Sequence, residues 1–145
     1  MIALLQRVSE ARVVVEDRLV ASIGRGLLVL VAVRPADDEA SALSLLDRLL
    51  KYRVFPDDAA KMNLNLQQIA GDLLFVPQFT LAADTRHGLR PGFSTAAPSE
   101  QGRQLFETLV RAAEARHTPV SSGVFGAYMQ VSLTNDGPAT FWLES

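Results

Sequence analysis

Short apolar runs separated by glycine or aspartate dominate the first third of the chain. The runs ALLQRV, RVVVE, LVASI and LLVLVAV are interrupted by Asp17-Arg18 and by Gly24-Arg25-Gly26. This spacing favours an antiparallel meander of strands. Residues 27–33 include no polar side chain, so they are predicted to form a central strand that is buried on both faces.

The hydrophobic pattern then becomes helical. In PADDEASALSLLDRLLKYRVF, two aspartates stand where a helix would begin, and leucines follow at helical spacing. These residues are Asp37 and Asp38, with Leu43, Leu46 and Leu50 on the stripe and Leu45 and Leu49 beside it. A second helix is predicted to open at Pro98-Ser99, with its apolar stripe made of Leu105, Leu109 and Ala112 next to Phe106, Val110 and Ala113.

The remaining segments predict further strands and a long loop. Met62, Leu64 and Leu66 alternate with polar residues, which suggests a short half-buried strand. LLFVPQFTL predicts a strand in which Pro77 must lie at an end, an edge or a bulge, because proline donates no hydrogen bond. MQVSLT and ATFWL predict two closing strands joined by a turn at NDGP. Strands at both ends with two helices between them indicate one α+β domain over residues 1–145.

Composition narrows the chemistry. The chain has 145 residues and no cysteine, and its two histidines, His87 and His117, stand in no metal-binding spacing. The net charge of −2 argues against a broad nucleic-acid surface. No apolar run reaches the roughly 18 residues that a membrane span needs. We therefore expect a cytoplasmic protein that binds no metal and does not cross a membrane.

Familiar catalytic motifs are missing. The sequence has no Gly-x-Ser-x-Gly elbow, no Walker loop and no Gly-x-Gly-x-x-Gly fingerprint. Thr80 carries a hydroxyl, but no base lies near it in sequence, so an orienting role is favoured over a nucleophilic one. Two unusual segments remain, VPQFTLAADT and NDGPATFWL.

These two segments resemble the signature segments of the D-aminoacyl-tRNA deacylases. LLQRVSEARV, GRGLLVLVAV, KMNLNLQ, DTRHGLRPGF and GVFGAYMQVSL are also similar to that family, in the same order along the chain. The resemblance implies a homodimer with a barrel-like core of antiparallel and mixed sheets and two main helices. It implies hydrolysis of the ester between a D-amino acid, or glycine, and the acceptor end of tRNA. Neither metal nor cofactor would be needed, because the neighbouring ribose 2′-hydroxyl can assist.

The resemblance also assigns catalytic roles. Phe79 and Thr80 would offer backbone N–H groups to the oxyanion that forms on the ester carbonyl, while Gln78 would orient the ester or the terminal ribose. For Phe79 the alternative is core packing.

Substrate binding is assigned in the same way. Gly137 and Pro138 would be joined by a cis peptide bond whose two carbonyl oxygens reach the partner subunit's site and exclude an L side chain. Arg7 would brace this segment, unless it is an exposed strand charge. Phe125, Ala127 and Met129 would line the adenosine pocket, with core packing as the alternative.

Pro77 and Tyr128 depart from the family pattern, which usually has serine and aspartate there. Since Pro77 resembles a paralogue with relaxed chirality, an editing deacylase acting on glycyl or L-alanyl esters is a second hypothesis. A dimeric binding module without turnover is a third. Arg86, His87 and Arg90 form a basic cluster that either contacts tRNA phosphates or is a solvated loop.

Overall fold

A computed structural model describes all 145 residues. Eight strands and two α-helices follow one another along the chain, together with one short 3₁₀ helix. They are β1 (Ile2–Val15), β2 (Arg18–Ile23), β3 (Gly26–Ala32), α1 (Glu39–Lys51), β4 (Phe55–Pro56), β5 (Met62–Leu64), β6 (Asp72–Pro77), the 3₁₀ helix Phe79–Ala82, α2 (Ser99–Glu114), β7 (Val120–Ser122) and β8 (Gln130–Glu144).

Six strands form one mixed sheet that nearly closes into a barrel. Its order is β2-β1-β3-β6-β7, and β8 pairs with β1 along almost the whole of both strands. The pairs of β1 with β2, β3 and β8 are antiparallel, whereas β6 is parallel to β3 and to β7. The predicted α+β class with mixed sheets and two main helices is therefore confirmed. The antiparallel pairing predicted for the first three strands is confirmed, but the meander is wrong, because ALLQRV and RVVVE form one long strand and β3 pairs with its first half rather than with β2.

The predicted turn at NDGP is wrong. β8 continues through residues 134–140, and both of its halves pair with β1. Gln6 is opposite Thr140 and Val8 is opposite Asn135, so residues 136–139 form a bulge opposite Arg7. Turn-forming residues do not reverse the chain here because β1 continues past them and offers pairing partners on the same side.

The two helices cover one face of the sheet. The larger hydrophobic core lies between the helices and this face. Helix α1 begins at Asp38, whose carboxylate accepts from the backbone N–H of Ser41 over 2.8 Å. The core-facing side chains of the helices are Ala42, Leu45, Leu46, Leu49 and Leu50 in α1, and Phe106, Leu109 and Ala113 in α2. The prediction that Leu43 faces the core is wrong: it is 41% exposed, because it lies about 90° around the helix from the centre of the buried stripe.

Buried side chains on the opposite face fill the barrel. Val8, Val13, Leu28 and Leu74 belong to this cluster, and Met129 packs against it. Residues 27–33 are buried on both faces apart from half-buried Leu30, as predicted for a central strand. Neither helix is long and apolar enough to cross a bilayer.

Candidate active site

A cavity lies where β3 and β6 end, beside the start of α2 and the segment before β8. Its volume is about 570 Å³, and most of its lining is hydrophobic. The lining residues are Val31, Ala32, Val33, Val76, Pro77, Gln78, Phe79, Phe93, Ala96, Ala97, Ser99, Gly102, Phe106, Phe125, Gly126, Ala127, Tyr128, Met129 and Val131. A mostly apolar cleft of this size with a few polar groups is the usual form of a small-ligand site.

The predicted catalytic segment lies at the edge of this cavity. β6 ends at Pro77, as predicted for a proline, and Gln78 N–H then donates to Val31 O over 2.7 Å. From Phe79 the chain enters the short 3₁₀ helix. The segment is thus tied to the sheet on one side and open to the cavity on the other.

The first N–H groups of that helix have no partner within it. In a 3₁₀ helix the earliest N–H groups precede any carbonyl they could reach. Leu81 is the first to donate backwards, to Gln78 O over 3.1 Å. Phe79 and Thr80 therefore present two adjacent unpaired backbone donors beside the cavity, which Phe79 lines.

The side chains of the segment complete this edge. The Gln78 side-chain amide donates to the Thr80 hydroxyl, to which no titratable side chain hydrogen-bonds. Phe79 is 57% exposed, so its ring is not a core residue. It lies 5.0 Å from the ring of Phe93, a residue to which the sequence analysis assigns no role. Nothing in the local pattern around Phe93 indicated that it would reach the cavity.

Phe125, Ala127 and Met129 line the opposite wall. Each is half-buried. Met129 also packs against the cluster inside the barrel, so it contacts both the cavity and the core. The Phe125 ring lies 6.2 Å from that of Phe106. A side chain at position 102 would place its Cβ 3.3 Å from Phe125 Cζ, so Gly102 makes room for the ring.

Gly137 and Pro138 lie elsewhere on the chain. Both are exposed, the peptide bond between them is cis, and neither lines the cavity. Gly137 has φ +142°, a conformation that favours glycine. The structure therefore does not bring this pair together with the Gln78 segment in a single chain.

Asn135 and Thr140 hold the Gly-Pro bulge from its two ends, which the sequence analysis missed. The Asn135 side-chain oxygen accepts from Ala139 N–H over 2.7 Å, and its amide donates to the Thr140 hydroxyl over 2.7 Å. Asparagine commonly bonds its own backbone a few residues away, which is the signal that could have found it.

Arg7 braces the bulge from β1 and is buried, with 9% of its surface exposed. Its Nε donates to Asp136 O over 2.8 Å, and its Nη1 donates to Val54 O over 2.7 Å. Nε also lies 3.7 Å from the Asp136 carboxylate. The alternative of an exposed strand charge does not fit this environment.

The basic cluster lies on a hairpin-like loop closed by a bridge between Asp84 and Gly92. Arg86 donates to both carboxylate oxygens of Asp84, over 2.9 and 3.0 Å, which lowers the pKa of Asp84 to about 2. Arg90 forms no ion pair. Of the two arginines, Arg90 is the one whose charge is not paired with a carboxylate.

Known proteins similar to this chain were found in three comparisons. The family model described as D-Tyr-tRNA(Tyr) deacylase matches residues 4–144. A D-aminoacyl-tRNA deacylase of Thioalkalivibrio sulfidiphilus (strain HL-EbGR7) is 58% identical over 99% of this chain and 97% of its own. One of Methylibium petroleiphilum (strain ATCC BAA-1232 / LMG 22953 / PM1) is 61% identical over 97% and 92%.

Solved structures with this fold were also found. A chain described as c-Myc DNA Unwinding Element Binding Protein has a TM-score of 0.95 and 34% identity, over 100% of this chain and 99% of that one. A chain described as a probable eukaryotic D-amino acid tRNA deacylase has a TM-score of 0.82 and 20% identity, over 99% and 98%.

Proposed function

The chain belongs to the D-Tyr-tRNA(Tyr) deacylase family, and from this premise we propose that it hydrolyses the ester bond of D-aminoacyl-tRNA and glycyl-tRNA. The products are the free amino acid and tRNA. The observation that carries the proposal is the pair of unpaired N–H donors at Phe79 and Thr80, at the edge of a cavity of about 570 Å³.

The two backbone donors would stabilise the transition state. Water adds to the ester carbonyl carbon, and the carbonyl oxygen becomes an oxyanion that accepts from Phe79 and Thr80 N–H. Collapse of this intermediate breaks the bond to the ribose oxygen, which leaves with a proton as the hydroxyl. One such donor is worth about 2.7–4 kcal/mol of barrier. The ribose 2′-hydroxyl next to the ester would assist, so the chain itself must mainly position the reacting groups.

The side chains near these donors would orient the substrate. The Gln78 side-chain amide, which donates a hydrogen bond to the Thr80 hydroxyl, would contact the ester or the terminal ribose. No acid or base hydrogen-bonds to the Thr80 hydroxyl, which supports an orienting role rather than a nucleophilic one. Phe125, Ala127 and Met129 would hold the terminal adenosine against the opposite wall.

The chirality filter requires a second copy of the chain. Gly137 and Pro138 do not line the cavity of their own chain and are exposed on its surface. In a homodimer they would enter the partner's cavity, where their carbonyl oxygens exclude an L side chain but admit a D side chain or glycine. Arg7 and Asn135, which hold the bulge from both strands, support this role because a filter must be rigid.

Pro77 supports a second candidate function. It lines the cavity directly before the catalytic segment and offers neither a hydroxyl nor an N–H donor. A less polar cavity edge would fix the orientation of the bound amino acid less tightly. This favours an editing deacylase with relaxed chirality, which hydrolyses glycyl and L-alanyl esters.

Turnover tests the proposal directly. At nanomolar enzyme and a hundredfold excess of D-tyrosyl-tRNA, we expect complete hydrolysis, with sedimentation at the mass of a dimer. Hydrolysis of L-alanyl-tRNA at a similar rate would favour the relaxed editor. Binding without any turnover would overturn both and leave a dimeric binding module.

A further inference from the structure

Tyr128 stands at the rim of the cavity without a partner in the protein. It is 89% exposed, whereas its neighbours Ala127 and Met129 are half-buried in the cavity wall. Its ring packs on no other aromatic ring, and its hydroxyl makes no hydrogen bond. A large aromatic side chain so placed presents a flat face to whatever passes over the rim.

A tight turn fixes Tyr128 in this position. Ala127 N–H donates to Val124 O over 3.2 Å, and Gly126 has φ +78°, as the third residue of a type II turn requires. The turn directs Phe125 into the cavity wall. Tyr128 directly follows the turn and is exposed.

An unpaired cation of α2 lies against the same turn. The Arg103 guanidinium lies 5.1 Å from the centre of the Phe125 ring, and its Nη2 is 3.8 Å from the position that a Cβ of Gly126 would occupy. Arg103 makes neither a hydrogen bond nor an ion pair with any other residue. Its stacking on Phe125 leaves its charge available beside Gly126, two residues before Tyr128 in the chain.

We propose that Tyr128 and Arg103 form a nucleotide subsite at the cavity rim, which binds the nucleotide on the 5′ side of the terminal adenosine. This inference rests on the proposed function. An aminoacylated adenosine occupies the cavity, so the next nucleotide must leave across the rim. An exposed ring that stacks on a base and a cation that meets a phosphodiester are the two elements of single-strand binding. With a net charge of −2, the chain attracts RNA only where such a cation is unpaired.

Two small esters separate the subsite from the cavity. D-tyrosyl-adenosine fills only the cavity, whereas the D-tyrosyl ester of the trinucleotide CpCpA also reaches the rim. We expect the ratio of their kcat/KM values to favour the trinucleotide and to fall about 5- to 100-fold in Tyr128→Ala, as the loss of one base–aromatic stack requires. Tyr128→Phe should keep the ratio, and Tyr128→Leu should lose it.

Arg103 is tested by salt. In Arg103→Ala, the slope of log affinity for CpCpA against log salt concentration should fall by about 0.7, the effect of one phosphate contact on a single strand. Arg111→Ala is the matched control on the same helix, since Arg111 contacts only Thr108, and its slope should not change.

The outcomes distinguish the subsite from the proposed function. If neither ester is hydrolysed, the proposed function fails, and binding of unacylated CpCpA compared with adenosine still tests the subsite. Equal affinity of the protein for CpCpA and for adenosine would overturn the subsite. A ratio of the two kcat/KM values that stays at the wild-type level in Tyr128→Ala would also overturn it. So would a change of sedimentation coefficient in Tyr128→Ala, because Tyr128 would then belong to an interface between protein chains.

Discussion

Arg7 donates from Nε to the main-chain carbonyl oxygen of Asp136 over 2.8 Å, one residue before Gly137. A second donor of the same guanidinium reaches Val54 O over 2.7 Å, so one buried side chain joins the bulge of β8 to the segment after α1. This contact holds the Gly-Pro bulge in a fixed orientation on the sheet.

Loss of that guanidinium should cost stability. Arg7→Ala leaves two carbonyl oxygens without their donor, and we expect the free energy of unfolding to fall by about 2–4 kcal/mol. Urea unfolding at one fixed protein concentration measures it. Asp136→Asn is the control: that side chain is 54% exposed and the main-chain carbonyl is retained, so the change should stay under about 0.5 kcal/mol. Equal losses in the two variants would contradict the importance of the main-chain contact.

Gly137→Ala should displace the proposed filter. At φ +142° its Cβ would lie 2.8 Å from Arg7 Nη2 and 3.0 Å from Ala139 N, so the Arg7 guanidinium or the bulge itself must shift. We expect a loss of about 1–3 kcal/mol of stability and an increased ratio of L-tyrosyl- to D-tyrosyl-tRNA hydrolysis. The matched control is Gly24→Ala, whose Cβ would lie 3.6 Å from Asp72 Oδ2, an ordinary contact. An unchanged L-to-D ratio in Gly137→Ala would remove the filter from this segment.

The amide of Phe79 can be tested apart from its ring. Phe79→Ala removes the ring and keeps the N–H, whereas Phe79→Pro removes both. Proline is tolerated as the first residue of a helix, and Gln78 before it lies at φ −143°, ψ 73°, outside the helical region. We expect kcat of the proline variant to lie about 100- to 1000-fold below that of the alanine variant. Similar values in single-turnover deacylation, with both proteins folded by circular dichroism, would exclude this amide as an oxyanion donor.

Asp84 should stay ionised to low pH because of Arg86. The pKa of Asp84 is depressed, so its contribution to stability is present above the ordinary aspartate range and is lost as pH falls towards about 2. Carboxyl-carbon NMR should show a midpoint near 2 in the wild type. In Arg86→Ala the midpoint should rise towards 3.8. A midpoint that does not move would mean that the backbone N–H of Arg86, which also bonds Asp84, sets the pKa alone.

The sequence predicted helices and strands better than it predicted how the strands pair with one another. Two helices, the buried strand at 27–33 and the strand end at Pro77 followed from local periodicity and from proline chemistry. The bulge at residues 136–139 did not, because whether Asn-Asp-Gly-Pro reverses a chain depends on the distant partner strand β1. The parallel pairing of β6 with β3 and β7 also depends on contacts remote in sequence.

The candidate site was predictable only in part. The segments containing Gln78 and Gly137 stood out through their resemblance to a family, not through any motif for a nucleophile or base. Phe93 and the anchoring role of Asn135 were missed because each acts through a neighbour that folding brings close. Arg103 gave no signal either, since a charged residue on a helix is ordinarily solvated.

Side-by-side deacylation of D-tyrosyl-tRNA, L-tyrosyl-tRNA and glycyl-tRNA, at catalytic enzyme concentration, tests the central claim most directly. We expect the D-tyrosyl and glycyl esters to be hydrolysed and the L-tyrosyl ester to survive, because the proposed filter in the Gly-Pro bulge would exclude an L side chain and would find no side chain to exclude in glycine. Hydrolysis of the L-tyrosyl ester at a rate comparable with the D ester, or survival of all three esters, would contradict the account.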